Sequence, residues 1–273
     1  MIINKKLVGI LNAFEAITLK KINEVARLMK RQESKYLTTE AGLMSILEEL
    51  QQHYYLLEIK NFRLFIYNNT YMDSNSLLFY HDHENSKEAR IKVRKRKYVD
   101  TGGVYIEYKV KTGTKMDKER AELDKSDDIN LMDEKSMDFF KKLYGEDLSL
   151  LPTMKTNYLR ITLCSKTSEE RLTIDLNLVF KDARNPENGK LKVEDFVIIE
   201  VKQVVGSTNS FCKDVIEKNG GRLAEGCSKY CLGLIYFKKV DKYTHFQKTI
   251  DFIESHGGVA NVSTGERIEF INT

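Results

Sequence analysis

The chain has 273 residues, 41% of them hydrophobic and 31% charged, with a formal net charge of +4, which is an ordinary globular composition with enough apolar material for one large domain or two small ones. No apolar run approaches the roughly 20 residues that cross a bilayer, and the N-terminus has no basic stretch leading into an apolar one, so neither a membrane span nor a secretory leader is expected and a cytoplasmic location is. The positive charge is concentrated: residues 90 to 120 hold eleven Lys/Arg against four Asp/Glu, leaving the remainder at −3, and such a patch implies an anionic partner.

Along residues 5 to 30 the apolar positions fall at helical spacing (Leu11, Phe14, Ile22, Val25, Leu28, Met29) with lysines between them, which predicts one or two amphipathic helices. A short strand follows in RQESKYLTT, with Glu33 and Lys35 on one face, and Thr39 opens a helix from Glu40 to about Gln52 with Leu43, Ile46, Leu47 and Leu50 on one side. From Tyr54 to Tyr80 the runs YYLLEI, RLFIYNNTYMDS and SLLFY are rich in aromatic and branched residues and read as strands. His81 and His83 form an HxH pair that could reach a metal from one strand face, but no third ligand lies near.

Ile91 to Lys111 is the strongest local signal. Two alternating runs flank Gly102-Gly103, the pattern of a β-hairpin. Strand side chains alternate with period two, which puts Lys92, Arg94 and Arg96 on one face and Tyr105, Glu107, Lys109 and Lys111 on the matching one. That face is either solvated charge at a sheet surface or a polyanion site. TKMDKERAEL reads as a third strand carrying Lys118 and Arg120, and residues 122 to 136 as a surface connection. Asp133 then caps a helix bearing Met137, Phe140 and Leu143, stopped near Gly145.

The second half repeats the theme. NYLRITLC sets Arg160 on a strand, ERLTIDLNLVF sets Arg171, Thr173 and Asp175 on one face, and FVIIEVKQ brings Glu200 and Lys202 together in an otherwise apolar strand. Buried Glu and Lys are rare unless paired or bound to something, so an internal salt bridge and a ligand site both remain open. A helix is expected at Phe211 to Lys218, another strand in SKYCLGLIYF starting near Lys229, a final helix at Phe246 to Ile253 and then a polar tail. Cys164, Cys212, Cys227 and Cys231 form no CxxC pair and suit a reducing compartment. GGRLAEGCSK lacks the Lys-Ser/Thr of a phosphate-binding loop, and the tyrosines of the basic hairpin lack the signature of an RNA-recognition sheet.

At least five expected strands carry Lys or Arg on one face, often with a lone Glu, and apolar groups on the other. In an open sheet the charged faces would be wet; in a barrel with its apolar faces outward under the helices, they would line a polar tunnel.

The segments ESKYLTT (33–39), YNNTYMDSNSLLFYHDH (67–83), KVRKRKY (92–98), IEYK (106–109), KER (118–120), YLR (158–160), RLTIDLNL (171–178), IIEVKQ (198–203) and SKYCLGL (228–234), in that order, resemble the VTC-type polyphosphate polymerase domain of the triphosphate tunnel metalloenzymes. The resemblance spans almost the whole chain and implies an α+β fold, 1–273 as a single domain with a helical segment at 1–30, in which an antiparallel eight-stranded β-barrel is wrapped by amphipathic helices. It implies phosphate-binding and catalytic roles for Lys35, Arg94, Arg96, Lys109, Lys118, Arg160, Arg171 and Lys229, with Lys202 also facing substrate, and a metal, Mn²⁺ or Mg²⁺, on Glu200 with Glu33 and Glu107 as further candidates. Tyr98 and Asp175 match family positions of structural or supporting character. The implied activity is metal-dependent transfer of the γ-phosphoryl of ATP onto polyphosphate; the alternatives are an inorganic triphosphatase or nucleoside triphosphatase of the same fold, and a non-catalytic polyphosphate-binding module. ATP and polyphosphate or triphosphate are the expected partners, nucleic acid is not, and the chain resembles a stand-alone catalytic domain without the regulatory domain and membrane spans of eukaryotic members.

Overall fold

The computed structural model describes residues 5–25, 31–113, 115–125, 127–144, 148–207 and 210–262. Leu28, Met29, the helix stop at Gly145 and the tail from 263 onward lie outside them. Two short helices, α1 (Lys5–Asn12) and α2 (Leu19–Val25), flank the two-residue strand β1 (Ala16–Ile17). After β2 (Arg31–Thr38) the Thr39 hydroxyl accepts from the Gly42 amide at 3.0 Å and starts α3 (Glu40–Leu50), satisfying an amide that helix geometry leaves open. Next come β3 (Tyr54–Leu57), β4 (Phe65–Asp73), helix α4 (Leu78–Glu84), and the meander β5 (Ala89–Tyr98), β6 (Val104–Thr112), β7 (Lys115–Leu123). Asp133 accepts from the Ser136 amide at 2.9 Å at the head of α5 (Glu134–Tyr144) and also holds the buried Lys95. The long hairpin β8 (Leu151–Ser165) and β9 (Arg171–Asp182) leads to β10 (Lys190–Val193) and β11 (Val197–Val204). Helix α6 (Phe211–Lys218), β12 (Arg222–Leu223), α7 (Lys229–Tyr236), α8 (Gln247–Ser255) and β13 (Val259–Val262) finish the described fold.

The strands form one mixed-length sheet in the order β12-β2-β11-β9-β8-β4-β5-β6-β7, with antiparallel neighbours throughout. The short pairs β1–β3 and β10–β13 extend it at the sides. Two expectations from sequence are corrected here. The closed eight-stranded barrel is not what the hydrogen bonds make: the fold is α+β, and among the described residues the sheet counts 13 strands and its ladder stays open between β7 and β12. Closure onto β2 meets an obstacle, because the outer edge of β2 at Tyr36 and Leu37 is already paired with Leu223 and Arg222 of β12. The wall is nevertheless strongly curled. Glu33 on β2 and Lys109 on β6 are six strands apart in the ladder, about 29 Å along a flat sheet, yet their side chains meet at 3.7 Å.

The second correction concerns two apolar runs. SLLFY and SKYCLGLIYF form helices α4 and α7 instead of strands, so His81 and His83 sit on a helix and not on a strand face. In α7, Tyr230, Cys231, Leu232, Gly233 and Leu234 are all buried; a helix wet on no side shows no amphipathic period and looks like a buried strand.

The sheet wears its apolar face on the convex side. Leu159, Ile161, Leu163, Leu172, Ile174, Ile199 and Val201 pack under Leu43, Ile46, Leu47 and Leu50 of α3. Val93, Ile106 and Tyr108 pack against Phe140 of α5, whereas on the concave face Met154, the register partner of Tyr71 in the cavity wall, packs with Leu178 and Phe180 against α7 and α8. Burying these faces is the main driving force available to the fold, and the alternation sends most charged positions to the concave side, Lys95, held by Asp133 under α5, being an exception.

Candidate functional site: a cation-lined cavity

The concave side encloses a cavity of about 980 Å³. Every sequence-derived site residue lines it: Glu33, Lys35, Arg94, Arg96, Glu107, Lys109, Lys118, Arg160, Arg171, Glu200, Lys202 and Lys229. Tyr98 lines it too, while Asp175 stands behind Arg160 and Lys229. The cations come from seven of the eight long strands by alternation and from the first residue of α7, whose Ser228 cap aims Lys229 inward.

Three acidic centres hold the cations in place. Glu107, 3% exposed, accepts from Arg94 Nε at 2.7 Å and Lys118 Nζ at 2.8 Å, with Arg96 at 3.7 Å. Burial would raise its carboxyl, but the three cations outweigh burial and hold it well below the usual carboxylate range. Asp175 accepts from Arg160 Nε and Nη2 at 2.5 and 2.7 Å and from Lys229 Nζ at 2.5 Å. The register pairs Arg160 with Asp175 directly across β8 and β9, so this clamp is fixed by backbone pairing. Arg96 donates further to Asn69 at 2.7 Å and to the Tyr158 hydroxyl at 3.0 Å.

The third centre joins β2, β11 and β6. Register sets Lys35 opposite Glu200 and Glu33 opposite Lys202. Glu200 lies 3.4 Å from Lys202 and 3.9 Å from Lys35, and Glu33 bonds to it side chain to side chain. Burial opposes ionisation of Glu200, yet Lys202 and Lys35 keep its carboxyl far below the ordinary value. Burial pulls the Lys202 ammonium down to about 8, with Glu200 and Glu33 resisting. Arg171 sits across from Lys202 in the register and lines the same wall.

Among the described residues no three His, Cys, Asp or Glu side chains come together as a metal cage. The adjoining Glu33 and Glu200 carboxylates still fit a hard divalent ion of the Mg²⁺ type, which is bound by one or two carboxylates and completes its shell with water and substrate phosphate. Glu107 fits less well, its oxygens being taken by three cations. His83 lines the far end of the cavity apart from these carboxylates, among Arg90 and Lys92.

Several lining residues stand outside the candidate set. Lys92, which alternation already places on the face of Arg94 and Arg96, bonds to Ser228 at 3.1 Å and lies 5.1 Å over the Tyr71 ring. Tyr67 and Tyr71, four apart on β4, and Tyr158 carry the cations on their ring faces, Arg160 standing 4.8 Å from Tyr67 and Lys229 4.7 Å from Tyr158. Burial would raise the Tyr71 phenol, but Lys92, Arg94 and Lys229 outweigh it and bring it to about 7. Tyrosine in a strand gives no sign of which face it takes until the register is known.

An open antiparallel wall whose concave side gathers lysines and arginines around a few carboxylates is a binding cavity for a polyanion. The chain matches the model of the VTC domain over residues 30–238 and belongs to that family. No curated protein matches its sequence. Among solved structures, it is similar to a Hippeastrum protein assigned as an adenylyl cyclase and found to have a dominant triphosphatase activity (12% identity over 80% of this chain and 100% of that one, TM-score 0.45). It is similar too to the PH1819 protein of Pyrococcus horikoshii OT3 (13% identity, 77% and 99% covered, TM-score 0.42). A Bacillus halodurans protein assigned as an adenylate cyclase is a third (12% identity, 88% and 97% covered, TM-score 0.41).

Proposed function

We propose that this chain is a metal-dependent polyphosphate polymerase that transfers the γ-phosphoryl of ATP onto the end of a polyphosphate chain inside the cavity. The observation that carries this reading is the convergence of cations from seven strands and α7 on one enclosed space of about 980 Å³. Phosphoryl transfer asks little covalent help of a protein; it asks for alignment and for charge set against the phosphate oxygens. A terminal oxygen of the chain attacks the γ-phosphorus, the bond to the β-phosphate bridging oxygen breaks, and ADP leaves. Arg94, Arg96, Lys118, Arg160 and Lys229 hold the phosphates in line, each already oriented by Glu107 or Asp175. Glu200, with Glu33 beside it, would hold the Mn²⁺ or Mg²⁺ ion, which supplies further charge against the phosphate oxygens.

A triphosphatase of the same fold differs only in letting water reach the phosphorus. Against it stands the close engagement of Glu107 and Asp175 by cations, which leaves these carboxylates poorly placed to orient a nucleophilic water. Incubating the protein with ATP and Mn²⁺ or Mg²⁺, with and without a short polyphosphate primer, tests the reading. A lengthening polyphosphate ladder with ADP is expected. Free phosphate without a ladder would establish the hydrolase, and neither product with either metal would leave a polyphosphate-binding module.

A further inference from the structure

The convex face carries a second concentration of positive charge, apart from the cavity. The register sets Lys95 of β5 opposite Thr70 of β4, Thr70 opposite Lys155 of β8, Lys155 opposite Lys181 of β9, and Lys181 opposite Lys190 of β10. Directly opposed residues share a face, so these side chains form one row across the sheet. Lys95 shows which face it is, since it lies buried under α5 against Asp133 and does not line the cavity. Thr70 is covered as well, its hydroxyl donating to Asn130 at 3.3 Å. Past Thr70 the cover ends and the row emerges: Lys155 and Lys181 are half-buried, and Lys190 is exposed.

Among the described residues, none of these three ammonium groups is ion-paired, whereas Lys192, one row along, is taken by Glu194 at 2.6 Å. Burial pulls the Lys155 ammonium down, Lys181 adds to the pull and Asp128 resists it. Like charges directly opposite one another destabilise a sheet, and here two such contacts follow in succession. Lysines on an edge strand deter aggregation, but β8 and β9 are interior strands, each paired on both sides, so that role does not account for them. An anion laid across the row turns the repulsion into a shared attraction. Neighbouring strands lie about 4.8 Å apart, so the three lysines mark a line of about 10 Å, which suits a linear polyanion better than a single phosphate. The flanking row is Lys97, Asn68, Asn157, Val179 and Lys192. Neither row holds an aromatic ring, the platform on which single-stranded nucleic acid stacks its bases; a chain of phosphates needs none.

We propose that the row of Lys155, Lys181 and Lys190 is a second polyanion site, on the outside of the wall, that binds a linear chain of phosphates independently of the cavity. Being open to solvent, it is sensitive to salt: three neutralised phosphates contribute about two to the slope of log affinity against log salt, at roughly 0.7 each.

Calorimetric titration of the full chain with a long polyphosphate and with tripolyphosphate, without divalent metal and across a salt series, tests this. Lys155→Gln, Lys181→Gln and Lys190→Gln together are expected to weaken the long polyphosphate at least about fivefold at low salt and to lower its salt slope by about two. Tripolyphosphate, held in the cavity, should stay within about twofold. Lys181→Glu alone gives both neighbours a partner, so it should raise the thermal midpoint of the unliganded protein while weakening the long polyphosphate. Unchanged polyphosphate affinity and salt slope in both variants overturns the proposal and leaves the row a solvated face. Equal weakening of tripolyphosphate overturns it too, by moving the effect into the cavity. So does tighter binding of the unaltered protein to single-stranded DNA or to phosphatidylserine vesicles than to polyphosphate, lost in the triple variant, which would give the row a different partner. The phosphoryl-transfer reading of the cavity stands under each of these outcomes.

Discussion

Glu200 and Lys202 are neighbours along one strand face whose roles separate under test. Glu200→Gln keeps the shape of the side chain and removes its charge, so turnover is expected to fall at least about a hundredfold while the thermal midpoint moves by a few degrees. A collapse of the midpoint would show the pair to be a structural ion pair instead. Lys202, brought down to about 8 by burial against the pull of Glu200, is ammonium below that pH and neutral above it. Since an anion favours the charged form, tripolyphosphate affinity should decline as pH rises past about 8, and binding near pH 8.5 should take up a proton, read from calorimetry in buffers of different ionisation enthalpy. Without ligand the sign for stability is opposite. The unfolded chain keeps this proton up to the ordinary lysine value of 10.5, so between about 8 and 10.5 the Lys202 contribution to stability rises with pH. Asp175 behaves in the usual carboxylate way. Burial would raise it, but Arg160 and Lys229 hold it to about 2 against an ordinary 3.8; its stabilisation is complete above 3.8 and lost as pH falls toward 2. Asp175→Asn strands two buried cations and is expected to cost about 3–5 kcal/mol in denaturant unfolding.

Helix α7 shows how an element can decide a site while hiding from the sequence. Its Gly233 lies against Met154 and Phe180 so closely that an added Cβ would stand 2.7 Å from the Met154 sulfur. That approach seats the helix on β8 and β9 and fixes where Lys229 points. Gly233→Leu should therefore lower stability by about 1–3 kcal/mol through overpacking and, by lifting the N-terminus of α7, weaken tripolyphosphate binding; unchanged binding would show that Ser228 and Asp175 position Lys229 without that close approach. The hairpin of β5 and β6 was legible because its alternation survives half-burial, and Arg94, Arg96, Glu107 and Lys109 follow from it. The run of α7 was not, because burial on all sides erases the contrast between faces, and that of α4 was not because Leu78, Phe79 and Tyr80 stand consecutively and show no helical period. Neither was the openness of the sheet, which turns on β12, a pairing of two residues with no pattern of its own.

For the molecule as a whole, the concave wall is a surface that folding alone leaves unfinished. A ligand that binds only the folded form adds RT ln(1 + [L]/Kd), about 2.7 kcal/mol at one hundred times Kd, and tripolyphosphate should raise the thermal midpoint accordingly, while sulfate at equal ionic strength raises it less. Because much of the cavity is withdrawn from solvent, its affinity should also fall less steeply with salt than that of an exposed basic patch.

The carboxylates among the cations carry one more consequence. Glu107, Asp175 and Glu200 act as counter-ions that cannot diffuse away. A phosphate arriving at Arg94 or Lys229 displaces a tethered rival, and when it moves on the rival returns. The wall is thus an ion exchanger with fixed internal salt: no one cation need hold a bound polyanion fast, and such a ligand can slide from one exchange point to the next with the grip renewed at each step.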